Sequence, residues 1–274
     1  MLHRLEKFGG SGKPLVFAHA NGYPVGSYRQ FINALTPVCA VTGFHTRPMW
    51  SPELPPARLN WQGFADDLIE TLEATQAGPV WMMGHSMGAA ISTIAAARRP
   101  QLFHGLILID PIFFKTRHVL GSNFSSVESL DKRPMVRRTL SRPNRFLNRQ
   151  EAFDFYRPKR AFSRFSNEVL WDYVDASTQP VEGGELELAY GREWEAAAYR
   201  SAPFLWGMIR KIRLPVLGLR GETSDTLSPE AFQRWGRLQP QADLRECTGG
   251  HLLPLEYPRE TAAQVIDFLS GQEG

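Results

Sequence analysis

The chain has 274 residues, 43% hydrophobic and 22% charged, with a net charge of +3. It can bury a sizeable core and fill one large α/β domain, or one domain with an insertion, which excludes a disordered chain. The opening MLHRLEKFGGSGK lacks the apolar centre of a signal peptide, and no run of about 18 apolar residues occurs, so a soluble, cytoplasmic protein without membrane insertion is expected. Residues 2–8, LHRLEKF, alternate apolar and polar as a half-exposed edge strand does. Leu15 to Ala18 reads as a short buried strand, followed by the loop HANGYP. Ser27 is the expected cap of a helix whose apolar face is Tyr28, Phe31, Ile32 and Leu35. Val38 to Phe44 is the next strand, and the four prolines between Thr46 and Ala57 mark a loop. Asn60 is expected to cap a helix that buries Trp61, Phe64, Ala65, Leu68, Ile69 and Leu72.

Val80 to Met83 and Ala89 to Arg98 read as a buried strand and a helix, with Gly84-His85-Ser86-Met87-Gly88 between them. A strand turning at once into a helix needs a tight, strained turn, and small residues on either side let the two backbones approach. That strain exposes the Ser86 hydroxyl at the carboxyl end of the sheet. It also frees the Met87 N–H, at the helix start, to donate to an anion.

Leu106 to Ile109 is a further buried strand, ending at Asp110-Pro111. The alternation of strand and helix then stops. Residues 111–212 hold helical stretches and interleaved aromatics, and they read as one largely helical insertion over the carboxyl edge of the sheet, where ligands bind in such folds. Regular order resumes with Val216 to Leu219, a helix near Pro229 to Arg237, the strand Leu244 to Cys247, and a last helix at about 257–270. The expectation is an α/β fold: a mostly parallel sheet with helices on both faces, its core from 1–110 and 213–274 and a cap from 111–212. Cys39 and Cys247 lie far apart in apolar contexts and read as buried thiols, and no CxxC or HExxH occurs, so no metal is expected.

Charge is uneven. Between Lys115 and Arg164 stand thirteen Lys or Arg against four acids, so that segment is +9 and the rest −6. No nucleic-acid motif accompanies the block, and a solvated helical surface is the favoured reading.

A serine hydroxyl needs a base within hydrogen-bond reach, and the base needs an orienting acid. Among His3, His19, His45, His85, His104, His118 and His251, only His251 follows the last strand, beside two glycines. The sharp turn should aim His85 away into a packed or hydrogen-bonded role, and His19 reads as a loop anchor. In LGLRGETSDTLSP the first choice of acid is Asp225 and the second Glu222. Asp110 is the third. An oxyanion hole needs two backbone donors aimed at one point: Met87 N–H and, from the loop after Ala18, Asn21 N–H.

The order Ser86, Asp225, His251, the GHSMG turn, the HANG loop and the closing GGHLLPLEYP resemble the α/β-hydrolase superfamily, in its serine-nucleophile branch with an inserted cap. The resemblance implies a nucleophile–histidine–acid triad, an oxyanion hole and no cofactor. Two departures stand out. His19 is followed by Ala20 where the family has glycine, and Asp225 lies four residues after Gly221 rather than three. Serine at the turn argues against the haloalkane dehalogenase and epoxide hydrolase branches, which need a carboxylate there.

The first function expected is hydrolysis of carboxylic esters of small to medium apolar acyl or aryl groups, the partner being a small-molecule ester and not nucleic acid. The same triad serves a carbon–carbon hydrolase, thioesterase, lactonase or amidase. A ligand-binding receptor with little turnover is a third, weaker alternative.

Overall fold

The computed structural model of the chain describes residues 4–75 and 78–272. The first two residues of the expected 2–8 strand, His3, and the outermost ends of the expected core segments lie outside these. The chain begins with β1 (Leu5–Gly9), β2 (Lys13–Ala18), α1 (Arg29–Leu35), β3 (Cys39–Phe44), α2 (Trp61–Thr75), β4 (Val80–His85), α3 (Met87–Arg98) and β5 (Phe103–Ile109). Residues 111–212 follow with α4 (Thr116–Phe124), α5 (Val127–Asp131), α6 (Pro134–Leu140), β6 (Arg145–Phe146) and α7 (Arg149–Tyr156), then α8 (Asn167–Ser177), β7 (Thr178–Pro180), β8 (Leu186–Leu188), α9 (Arg192–Tyr199) and α10 (Trp206–Ile209). The chain closes with β9 (Val216–Gly221), α11 (Pro229–Leu238), β10 (Asp243–Cys247), α12 (Leu253–Glu256) and α13 (Pro258–Ser270).

The main sheet runs β1-β3-β2-β4-β5-β9-β10. Every neighbouring pair is parallel except β1 with β3, so the polar-patterned first strand is an antiparallel edge. The period of two along each strand divides the core into two layers. Val16, Ala18, Met82, Leu106, Leu108 and Val216 point to the layer shared with α2, α3 and Trp235 of α11. Leu15, Phe17, Met83, Ile107, Ile109 and Leu219 point to the layer shared with α1 and α13.

Local chemistry sets several boundaries. Asn60 Oδ1 accepts from Gly63 N at 3.1 Å at the start of α2, and Ser228 Oγ accepts from Ala231 N at 3.3 Å at the start of α11. Ser27 is not a cap. It lies inside a 3₁₀ turn, Val25–Tyr28, that precedes α1, and among the described residues its buried hydroxyl has no partner. The structural reason is Pro24, whose carbonyl takes the Ser27 N–H at 2.9 Å and starts the turn three residues early.

The 111–212 segment is helical but also holds a small antiparallel sheet, β6-β8-β7. Its aromatics pack on one another: Tyr156 lies 5.0 Å from both Phe162 and Tyr173, and Phe153 stacks on Trp171 at 4.4 Å. The segment is fastened to the body of the fold on both core layers, through Tyr156, Phe162 and Tyr173 on one and Phe113, Trp194, Trp206 and Ile209 on the other. Gly26 meets α8 closely; a methyl there would lie 2.9 Å from Ala176 Cβ.

Candidate active site

Loops that leave the carboxyl edge of the parallel strands β4, β5 and β10 bring Ser86, Asp110 and His251 together. The turn after β4 carries Ser86 at φ 53° and ψ −110°, a positive-φ conformation that L side chains rarely adopt. The glycines on either side make it possible. A methyl on Gly88 would lie 2.0 Å from the Ala18 carbonyl oxygen, and one on Gly84 would lie 2.5 Å from Ala89 N. The start of α3 therefore sits directly against the end of β2, which only a residue without Cβ allows.

The loop after β10 brings His251 to Ser86, with Nε2 2.9 Å from Oγ. The acid behind the imidazole is Asp110, at the end of β5, with Oδ2 2.7 Å from His251 Nδ1. A carboxylate only accepts, so the ring proton is on Nδ1, and Nε2 accepts the Ser86 hydroxyl proton. Asp110 is fully buried and held by three more bonds. Oδ1 accepts from Gly221 N at 2.9 Å, Oδ2 accepts from Ser224 Oγ at 2.6 Å, and its own N–H donates to Leu219 O at 2.7 Å. It too has positive φ, 40°.

The expectation for Asp225 is corrected here. Its side chain is exposed and its hydrogen bond is a long one, accepted from the neighbouring Thr226 hydroxyl at 3.4 Å. Glu222 is exposed as well, its main-chain N–H donating to Cys247 O. The loop after β9 supplies Ser224 instead, a residue the sequence did not single out. Strand order does not decide the matter, since β9 lies between β5 and β10; the loop after β9 turns Glu222 and Asp225 to solvent and presents Ser224 to Asp110.

Ala20 to Gly22 follow β2. Among the described residues, neither the Asn21 N–H nor the Met87 N–H has an acceptor within the protein. The Asn21 side chain is turned the other way, its Nδ2 donating to Glu195 O at 3.1 Å and its Oδ1 accepting from the Tyr190 hydroxyl at 2.9 Å. His19 anchors the loop from below, with Nδ1 2.8 Å from Ala20 O and Nε2 3.0 Å from Thr46 Oγ1. Burial pushes its pKa down to about 3, so it is neutral. His85 is buried and also neutral, depressed first by burial and then by the adjacent His251. Ser86 itself is 6% exposed. The His251 loop is pinned by Glu256, whose Oε2 accepts from Gly250 N at 2.7 Å and from Arg164, in the cap, at 3.2 Å. Among the described residues no three His, Cys, Asp or Glu side chains are placed to share a metal ion, and no helix is long and apolar enough to cross a membrane.

A match to the "Alpha/beta hydrolase family" covers residues 15–264. The 2-(acetamidomethylene)succinate hydrolase of Mesorhizobium japonicum is 24% identical over 207 residues, 75% of this chain and 69% of that protein. Among solved structures, E-2-(acetamidomethylene)succinate hydrolase superposes with a TM-score of 0.77 at 22% identity, covering 97% of this chain and 94% of that one. The thioesterase domain from the curacin biosynthetic pathway gives 0.76 at 19%, covering 96% and 94%.

Proposed function

The chain belongs to the alpha/beta hydrolase family, and from that premise we propose that it is a serine hydrolase of carboxylic esters with small to medium apolar acyl or aryl groups. The single observation that carries the reading is the continuous relay Ser86 Oγ–His251–Asp110, at 2.9 and 2.7 Å. A small-molecule ester is the partner. Ser86 Oγ attacks the ester carbonyl carbon as its proton passes to His251 Nε2. Asp110 holds the imidazole by Nδ1 and stabilises the imidazolium that forms. The carbonyl oxygen, now an oxyanion, takes the free Asn21 and Met87 N–H groups. The tetrahedral adduct collapses, the C–O bond breaks, and His251 returns the proton to the leaving alcohol. Water then repeats the sequence on the acyl-enzyme, with His251 again taking and returning the proton, and frees the acid. Residues 111–212 act as the cap that selects the acyl or aryl group.

The likeness to a 2-(acetamidomethylene)succinate hydrolase supports a hydrolytic reaction and adds dicarboxylate substrates to the panel worth testing. The decisive experiment is a series of p-nitrophenyl esters from acetate upward, run beside labelling with a fluorophosphonate. Ser86→Ala should lose about 10⁶ in kcat, as loss of a serine nucleophile can, and should not label. Labelling that survives in Ser86→Ala would remove Ser86 from the nucleophile's place.

A further inference from the structure

His85 lies beside the serine in sequence, is fully buried, and has both ring nitrogens engaged. We infer that Tyr28 and His85 form a positioning pair that fixes the main chain of His251 and ties it to the loop carrying Asn21. The inference rests on the reading of His251 as the general base.

The hydrogen-bond order follows from counting protons. Ala20 N–H donates to the Tyr28 hydroxyl oxygen at 3.2 Å. That oxygen has one proton of its own, and the group 2.8 Å away on its other side is His85 Nδ1. The other ring nitrogen, Nε2, faces the His251 carbonyl oxygen at 2.8 Å. A carbonyl only accepts, so Nε2 carries the proton and Nδ1 accepts from Tyr28. The reverse tautomer sets two lone pairs against each other at 2.8 Å in a buried place. One chain of three bonds therefore runs from the main chain of the 19–22 loop to the main chain of the base.

The His251 loop needs such a hold. It enters through Gly249, at φ +127°, and Gly250, neither of which has a side chain to pack. Glu256 restrains the Gly250 N–H and His85 restrains the His251 carbonyl. Because His85 adjoins Ser86 on the strained turn, the serine and its base are referenced to each other through rigid backbone. The neutral state of His85 also matters, since its ring lies 5.2 Å from that of His251. A cation there would oppose the imidazolium formed during the reaction.

The test compares Tyr28→Phe, His85→Met, His85→Gln and the double variant Tyr28→Phe/His85→Met with the unaltered full chain on p-nitrophenyl acetate. Thermal melts and the His251 Nδ1 proton resonance are recorded beside the kinetics. Misplacing a reacting group by about 1 Å can cost about 100-fold, so His85→Met should lower kcat by about 10- to 100-fold with KM within about twofold. His85→Gln, whose amide N–H reaches the place of Nε2, should recover most of that loss. The double variant should be no worse than His85→Met alone, because both break one chain. The Nδ1 resonance should shift or broaden in His85→Met and return in His85→Gln.

Unchanged kcat in His85→Met, or an equal loss in Met and Gln that follows the melting temperature, overturns the pair as a positioning device. If His85→Met fails to fold, Tyr28→Phe decides: it removes one oxygen and keeps the ring, and an unaltered kcat and Nδ1 resonance overturn the inference. If the unaltered protein turns over no ester, the ester reading fails by itself. The resonance then judges the pair alone, and an unmoved signal in His85→Met sinks it.

Discussion

Exchanging Asp110 for Asn keeps the shape of the acid and removes its charge, leaving His251 without its carboxylate partner. The wrong imidazole tautomer then becomes available, and kcat should fall by about 10⁴. Asp225→Asn, at an exposed position, should leave kcat within about twofold, as surface changes away from a site do. Steady-state kinetics of the two variants on one ester separate the assignments. The other residue-scale expectation concerns pH. Both His19 and His85 are buried and have pKa values below the ordinary 6.5, His19 at about 3. The unfolded chain therefore binds protons below pH 6.5 that the folded chain does not. Stability is complete above that pH and is lost as pH falls below it, for His19 down to about 3, by about 1.4 kcal/mol per pH unit for each histidine that stays neutral. Urea titrations at pH 7.5, 6 and 5 should show a falling midpoint. A midpoint that is flat across this range would contradict the neutral assignment.

At the scale of elements, the turn between β4 and α3 depends on close backbone approach more than on the serine itself. A methyl on Gly88 would stand 2.0 Å from one backbone oxygen and 2.5 Å from its carbon, both in β2 and neither able to swing aside. Gly88→Ala should therefore lower stability by about 1–3 kcal/mol through overpacking. It should also displace the Met87 N–H, so residual activity per folded molecule falls as well. Denaturant melts with active-site titration distinguish the two effects. Gly84 answers to the same geometry from the strand side, where the clash is with Ala89 N at 2.5 Å.

Over the whole molecule, the basic run from Lys115 to Arg164 is less of a field than its sequence suggests. Five of its cations pair with acids outside the run: Lys115 with Glu230, Arg142 with Glu195, Arg145 with Glu185, Arg149 with Asp175 and Arg164 with Glu256. Local charge along the chain and charge in space differ once the run folds against α8, α9, α11 and α12. Neutral and anionic esters should accordingly show the same dependence of kcat/KM on salt between about 0.05 and 0.5 M, where screening removes long-range steering. A steep fall for anionic esters alone would restore the basic surface to a role in binding.

The GHSMG turn with its flanking strand and helix, the apolar face of α1, the edge strand, and a histidine placed after the last strand were all legible in the chain. Each depends on a local rule, either a period of two or 3.6 or the backbone freedom of glycine, and local rules act within about ten residues. The acid was not legible. Asp110, Glu222 and Asp225 all follow a strand, and only the way the folded loops point, Asp110 inward to His251 and the other two to solvent, makes Asp110 the one that reaches it. Tyr28 shows the same limit: its spacing marks a core residue at the start of α1, and nothing along the chain reveals that its hydroxyl meets His85. Periodicity decides which face a side chain takes; which distant group waits there is decided by the packing of strands and loops far apart in sequence.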